Sequence, residues 1–406
     1  MPDREFPGFD AARLAEAVRQ PPLDELRSTA RSRRHRSVVV VVAAALVVLA
    51  GVTVVPLVAG ADRAEPAGPA GPAEPSPRPE HSGDFTLTGP DSGVDVRRDR
   101  CDLRFLLTAD RGRSWSDEDS ALFHGIRCEA SATGTPDSLL KFSVLSDRSY
   151  LVDDAGLLRL STDYGRNWRE ATGATVAVPA FPTTARPVFC GYDCGAMQEP
   201  LAVDPSAGTV YRLTGTAPSW RPLRSLYPSP DGTLWAMYQM PANPGATLAR
   251  SIDRGATWTT WETEADVRVL AVVGRDAQEG YLLTEGSSTN GSPRLLRTTD
   301  GGKSWADTGA DLPAQAHWDL TIGTDGSLLA ITNGGTDSTG PARLLISRDD
   351  GRQFTVAREY GRLVGSVSVA PGYAWLFGRD DGSTGEPDHF LMTTDAKSWS
   401  RFTLAP

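Results

Sequence analysis

Two apolar patterns divide the chain. From Val38 to Ala59 the run VVVVVAAALVVLAGVTVVPLVA holds 22 residues without a charge. As a helix it would rise about 33 Å, close to the thickness of a hydrocarbon core. From residue 84 onward the pattern changes to short apolar runs of strand length, broken by Gly and Asp. One set is VRVLAVV (267–273), YLLTEG (281–286) and RLLRTTD (294–300). A second is DLTIGTDG (319–326), LLAITNG (328–334), RLLISRDD (343–350) and FTVAREY (354–360). A third is GSVSVAP (365–371), YAWLFGRD (373–380), HFLMTTD (389–395) and WSRFTLAP (399–406). Each set predicts a four-stranded unit, and the last has four strands of its own, so that a closed ring needs no swapped strand.

A turn motif closes the third run of each set. It reads TADRGRSW (108–115), STDYGRNW (161–168), SIDRGATW (251–258), TTDGGKSW (298–305), SRDDGRQF (347–354) and, shortened, TTDAKSW (393–399). Its aspartates, Asp110, Asp163, Asp253, Asp300, Asp349 and Asp395, are spaced 53, 90, 47, 49 and 46 residues apart. The interval of 90 is a double step, and inside it LTGTAPSW (213–220) keeps only the Trp, as a degenerate copy. Units of about 50 residues are the length of one four-stranded blade. The expected fold is therefore all-β, a seven-bladed β-propeller over residues 84–406, with an N-terminal transmembrane helix. The chemistry of the motif is structural. The Asp carboxylate accepts backbone N–H groups two or three residues on. Gly supplies positive φ. Trp115, Trp168, Trp258, Trp305, Phe354 and Trp399 fold back onto the strands.

These motifs resemble the Asp-box, or BNR, repeat of the sialidase-like and photosystem II assembly-factor-like propeller superfamily, of a bacterial membrane-anchored type. The superfamily also includes sortilin-type receptor domains. A sialidase resemblance implies three arginines for the substrate carboxylate, a Tyr–Glu nucleophile pair and an Asp acid/base. It also implies a Phe/Tyr-Arg-Ile-Pro motif before the first box and six blades. Here CDLRFLLT (101–108) precedes the first box, and Arg104 stands in a different setting. Glu279 and Tyr281, and Glu359 and Tyr360, bring Glu near Tyr in sequence.

The flanks of the apolar run set its direction. Arg27, Arg31, Arg33, Arg34 and Arg36 precede it, and Asp62, Arg63 and Glu65 follow. Positive-inside logic predicts a cytoplasmic segment 1–37, a single-pass helix 38–59 in the cell membrane, and an extracellular propeller. A cleaved signal peptide is the competing reading, since Ala59-Gly60-Ala61 offers a small-residue site. Residues 60–83 are rich in Pro and Ala and predict a semi-extended linker.

Net charge is −10, and residues 1–60 carry eight Arg against six Asp and Glu, so the remainder carries −12. That acidity argues against nucleic acid as a partner. Cys101, Cys128, Cys190 and Cys194 all follow the apolar run. An even count in an exported domain predicts disulfides. Of three pairings, Cys101–Cys128 and Cys190–Cys194 keep each bond within one blade or at one blade edge. The spacing does not fit a zinc site. His35, His81, His124, His317 and His389 are scattered, and no phosphate loop or G-x-S-x-G elbow occurs, so neither metal nor cofactor is expected.

Function is expected in the loops opposite the turns. The long polar ones are PANPGAT (241–247), GSSTNGSP (286–293), NGGTDSTGPAR (333–343) and RDDGSTGEPD (379–388). His317, Trp318, Tyr360, Asp381 and Asp388 are the candidate ligand contacts. The favoured expectation is a non-catalytic binding or assembly module for an envelope protein or glycan, the alternative an exo-sialidase-like glycoside hydrolase. A sensor acting on the cytoplasmic segment is a third possibility, awkward through a single helix.

Overall fold

The computed structural model describes residues 84–405 apart from 132–138, 192, 242–243, 287–292, 314–317, 334–340, 362–367 and 381–386. The segments expected to be cytoplasmic, membrane-spanning and linking (1–37, 38–59 and 60–83) lie outside the described residues. Among the described residues no helix is long and apolar enough to cross a membrane.

Seven four-stranded sheets follow one another along the chain, the arrangement of a seven-bladed propeller. Blade 1 holds β1 (Asp84–Leu87), β2 (Gly93–Asp99), β3 (Asp102–Thr108) and β4 (Leu122–His124). Blade 2 holds β5 (Leu140–Ser146), β6 (Ser149–Asp154), β7 (Leu157–Ser161) and β8 (Arg169–Glu170). Blade 3 holds β9 (Val176–Val178), β10 (Arg186–Pro187), β11 (Leu201–Val203) and β12 (Val210–Leu213). Blade 4 holds β13 (Leu223–Pro228), β14 (Leu234–Gln239), β15 (Ala246–Ser251) and β16 (Thr259–Glu262). Blade 5 holds β17 (Val267–Gly274), β18 (Gly280–Gly286), β19 (Pro293–Thr298) and β20 (Ala306–Asp307). Blade 6 holds β21 (Trp318–Ile322), β22 (Leu328–Asn333), β23 (Ala342–Ser347) and β24 (Thr355–Tyr360). Blade 7 holds β25 (Val369–Ala370), β26 (Tyr373–Gly378), β27 (His389–Thr393) and β28 (Ser400–Thr403).

Six blades are simple antiparallel meanders in chain order. Their sequence pattern follows from position. Second strands are covered by a neighbouring sheet on both faces, so β14 (LWAMYQ) is buried throughout and reads as a continuous apolar run. Fourth strands face solvent, and β24 (TVAREY) has four exposed positions of six. Adjacent blades share apolar cores. A last core joins blade 7 to blade 1, with Phe85 5.0 Å from both Phe390 and Phe402. The Thr403 N–H also donates to the Arg111 carbonyl at 3.0 Å. The ring therefore closes through side chains and one backbone bond, and blade 7 supplies all four of its own strands, as its sequence predicts.

Blade 3 departs from the expected register. Its strand order is β10-β11-β12-β9, with β9 parallel to β12. The fourth strand thus precedes the other three in the chain. The segment 214–222, expected to be a degenerate turn between third and fourth strands, instead links β12 to blade 4. Trp220 is 81% exposed there, so it does not fold back onto its blade. Without the Asp and Gly of the motif, nothing closes that turn.

Two disulfides form with the expected pairing, Cys101–Cys128 and Cys190–Cys194.

Candidate functional site

The repeated turns are built alike. In the first, Thr108 Oγ1 donates to Asp110 Oδ1 at 2.9 Å and accepts the Gly112 N–H at 2.9 Å. Asp110 also accepts the Ser114 N–H at 2.9 Å and the Ser114 hydroxyl at 2.6 Å. The same set recurs around Asp163 with Asn167, Asp253 with Thr257, and Asp300 with Ser304. In these four turns the carboxylate reaches four residues on, beyond the two or three expected, while in the shortened last turn Asp395 accepts the Lys397 and Ser398 N–H groups, two and three on. In the four, the residue four on carries a hydrogen-bonding side chain because it closes the same ring. Those bonds, led by the Ser114 hydroxyl, hold Asp110 at a pKa of about 2. Ser304 does the same for Asp300. Both oxygens of these four carboxylates are bonded within their own turns.

The opposite face carries the opening at the ring axis. Asp84 and Lys141 stand at the starts of first strands, Phe377 near the end of a second, and Pro387 just before a third. All are strand ends remote from the turns. Between them lies a cavity of about 310 Å³, whose walls include Phe85, Phe142, Phe189, Trp375 and Phe377. Lys141 is exposed, and no ion pair is recorded for it among the described residues. A far smaller cavity of about 20 Å³ lies among the first strands of blades 4, 5 and 6, and Phe189 lines both.

Phe189 divides the axis because blade 3 gives up a long first strand. β10 is only two residues long, and the chain then turns through Val188–Pro200. The Cys190–Cys194 loop docks on two neighbours. Cys190 and Leu226 of blade 4 exchange backbone bonds at 3.1 and 3.0 Å. Ser143 of blade 2 donates to the Cys194 carbonyl at 2.7 Å and accepts the Ala196 N–H at 2.9 Å. Gly195 has φ +60, and a Cβ there would fall 1.9 Å from the Phe142 carbonyl oxygen, so only glycine lets the loop lie this close. The result is a cup, open at one face and floored by a phenyl ring.

Asp319 points into the small axial cavity, and one carboxylate oxygen accepts the Ser368 N–H at 2.6 Å. Burial without a counter-charge pushes its pKa up to about 7.

Of the candidate ligand contacts, His317 and Asp381 lie outside the described residues. Trp318 is a correction: it is 7% exposed and packs in the core of blades 4 to 6, beginning a first strand. Tyr360 and Asp388 do come together, through a residue the sequence did not single out. His389 is fully buried, its Nε2 2.5 Å from Tyr360 Oη and its Nδ1 2.5 Å from Asp388 Oδ1. Burial foremost raises the Tyr360 pKa. The chain of bonds ties the outer strand of blade 6 to the third strand of blade 7. Asp380, Asp388 and His389 are near enough to share a cation. Both imidazole nitrogens are already engaged, however, and Arg401 holds Asp380 through two bonds of 2.7 and 2.9 Å. His389 lies 29 residues beyond Tyr360, and no local spacing announces the pair.

The Tyr–Glu pair is also formed, on the other face. Tyr281 Oη donates to Glu279 Oε1 at 2.7 Å, and Arg275 and Arg297 bind the same carboxylate at 2.8 and 2.9 Å. Tyr281 is fully buried and its pKa is raised, chiefly by burial. A phenol held neutral inside a clamp between blades is the reverse of an activated nucleophile. Glu359 pairs with Arg343 at 2.5 Å instead of Tyr360.

The fold and the cup define a class: a disulfide-bearing all-β ring of seven sheets with an axial recess. No family profile and no curated protein matches the chain. Among solved structures it is similar to a puromycin-hydrolysing peptidase of Mycobacterium tuberculosis, with TM-score 0.47 and 14% identity over 80% of this chain and 53% of that one. It thus spans about half the length of that peptidase. It is similar to YCF48 bound to a D1 peptide, with TM-score 0.40 and 14% identity over 80% and 93%. It is also similar to a Hadza microbial sialidase, with TM-score 0.39 and 12% identity over 79% and 65%.

Proposed function

We propose that the chain is a membrane-anchored propeller of the Asp-box type, displayed outside a bacterial cytoplasm, whose axial cup binds a protein or glycan of the envelope without catalysis. The observation that carries this reading is the cup itself. It is a concave recess with five aromatic side chains in its wall and the exposed Asp84, Lys141 and Asp193 around it, on the face opposite the turns. Such recesses are where ligands are taken up. Its volume, at the low end for ligand pockets, suits one bulky side chain or a single sugar ring. The run of 22 uncharged residues and its arginine flank support the anchoring.

An exo-sialidase-like hydrolase is the second reading: Tyr281, Glu279, Arg275 and Arg297 supply its residue types in one cluster, but on the face away from the cup and with the phenol buried and neutral. Against it, Arg98 is the one arginine among the described cup residues, where a substrate carboxylate would call for several.

The test uses the full-length chain and its Val188→Trp variant, which fills the cup. Thermal unfolding first checks that the variant folds. Wild type should capture an envelope component that the variant does not, and neither should turn over a fluorogenic sialoside. Equal capture by both would remove the cup from the account. Sialoside turnover lost on Tyr281→Phe would establish the second reading in its place.

A further inference from the structure

Trp220 is the one tryptophan among the chain's ten whose ring is exposed, at 81%. Nothing in the fold needs it there, because the turn it would serve is missing from blade 3. Yet it is not loosely held. Ser219 Oγ lies 3.0 Å from Thr247 Oγ1, which donates to Glu262 Oε1 at 2.7 Å. Arg221 Nη1 donates to Thr247 Oγ1 at 2.6 Å and to Glu262 Oε2 at 2.5 Å. The Gln239 N–H donates to the Pro222 carbonyl at 3.1 Å. These bonds seat the segment on both outer strands of blade 4. Thr247 is near the start of β15 and Glu262 ends β16, so the ring stands on the same face as the cup mouth.

We propose that Trp220 is a stacking platform for a pyranose ring of a neutral polysaccharide, a site separate from the cup. A pyranose has apolar C–H faces and hydroxylated edges. An indole held flat to solvent covers such a face and withdraws apolar area from water on both partners. The hydroxylated edges need both donors and acceptors, which a guanidinium and a carboxylate supply respectively. The Arg221 guanidinium lies over one face of the Trp220 ring, 5.5 Å from its centroid, so a sugar would stack on the other face. The Glu262 carboxylate accepts one bond at each oxygen, from Thr247 and from Arg221, and keeps 61% of its side chain exposed. A protein partner would instead call for an anchor set in a wider desolvated apolar patch, whereas the residues flanking this ring are Ser219 and Arg221.

Because no other tryptophan is exposed, the first equivalent of N-bromosuccinimide added to the full-length chain should oxidise Trp220. Hexamers of β-1,4-linked N-acetylglucosamine, β-1,4-linked xylose and α-1,4-linked glucose serve as probes. At least one should slow that oxidation in a saturable way. Trp220→Ala should weaken its binding roughly tenfold or more, the scale of a central aromatic contact. Trp220→Phe should recover part of the loss, and Glu262→Gln should alter preference among the three sugars. Val188→Trp should leave this binding intact, which separates the site from the cup. Oxidation unaffected by every hexamer, or equal binding by Trp220→Ala and wild type, would overturn the proposal.

Discussion

At the residue scale, two carboxylate environments pull stability in opposite directions with pH. The turn aspartates have depressed folded-state pKa values, about 2 at Asp110 and Asp300 against an ordinary 3.8, because hydroxyl and amide donors hold the charged form. Their contribution is whole above pH 3.8 and is lost as pH falls through 2. Asp319 has the opposite sign. With its folded-state pKa raised to about 7, its penalty is absent below 3.8, grows as pH rises, and is complete above 7. At about 1.36 kcal/mol per pH unit the penalty has an upper bound of about 4 kcal/mol. Urea unfolding of wild type and Asp319→Asn across pH 4 to 8 measures it directly. The two should converge near pH 4, and the variant should be more stable at pH 8. Between pH 4 and 2 both should lose stability together, read by tryptophan emission, since both retain the turn carboxylates.

At the scale of elements, the turn motif and the Cys190–Cys194 loop differ in how far they could be read from the chain. Turns such as Thr298–Trp305 are local. Each bond joins residues two to four apart, so the residue types at fixed offsets reveal the element, its end and its role. The strands of blades 5, 6 and 7 were legible for the same reason. Blade 3 was not, because its fourth strand precedes the others and its stabilising bonds run to blades 2 and 4. Ser143 and Ala196 are 53 residues apart, and nothing in either segment points to the other. Tyr360 and Asp388 were legible as polar residues at strand ends; the buried His389 joining them was not. The disulfide should hold this loop in place. In Cys190→Ser/Cys194→Ser the bonds to Ser143 and Leu226 remain, so the ring should stay folded while amide exchange at Phe189–Ala196 rises. Exchange unchanged in that segment would show that docking alone fixes the floor of the cup.

At the scale of the whole molecule, stability depends on closing the seventh blade onto the first. Phe390 and Phe402 stack at 4.8 Å, and Phe85 packs against both. At the same seam Gly112, with φ +78, leaves no room for a side chain, since a Cβ would lie 1.7 Å from the Thr403 carbonyl oxygen. Gly156 has a similar φ of +86 with nothing within 4 Å. Gly156→Ala should therefore cost only backbone strain, about 1–2 kcal/mol. Gly112→Ala should cost distinctly more and lower the Tm further, because blade 7 must move away. Equal losses in calorimetry would mean that the seam yields without cost.

The axial cup rests on this closed frame, and the chain carries its own reporters for it. Lys141 lies at the cup rim, while Lys303 and Lys397 lie in turns on the opposite face; they are the chain's three lysines, and all are exposed. Acetylation of the full-length chain, in native envelope membranes and after purification, followed by mass spectrometry, compares the two faces in one sample. The account predicts that Lys141 is protected in the membranes and released on purification, while Lys303 and Lys397 react alike in both. Lys141 reacting equally in both states, or protection confined to Lys303 and Lys397, would contradict it.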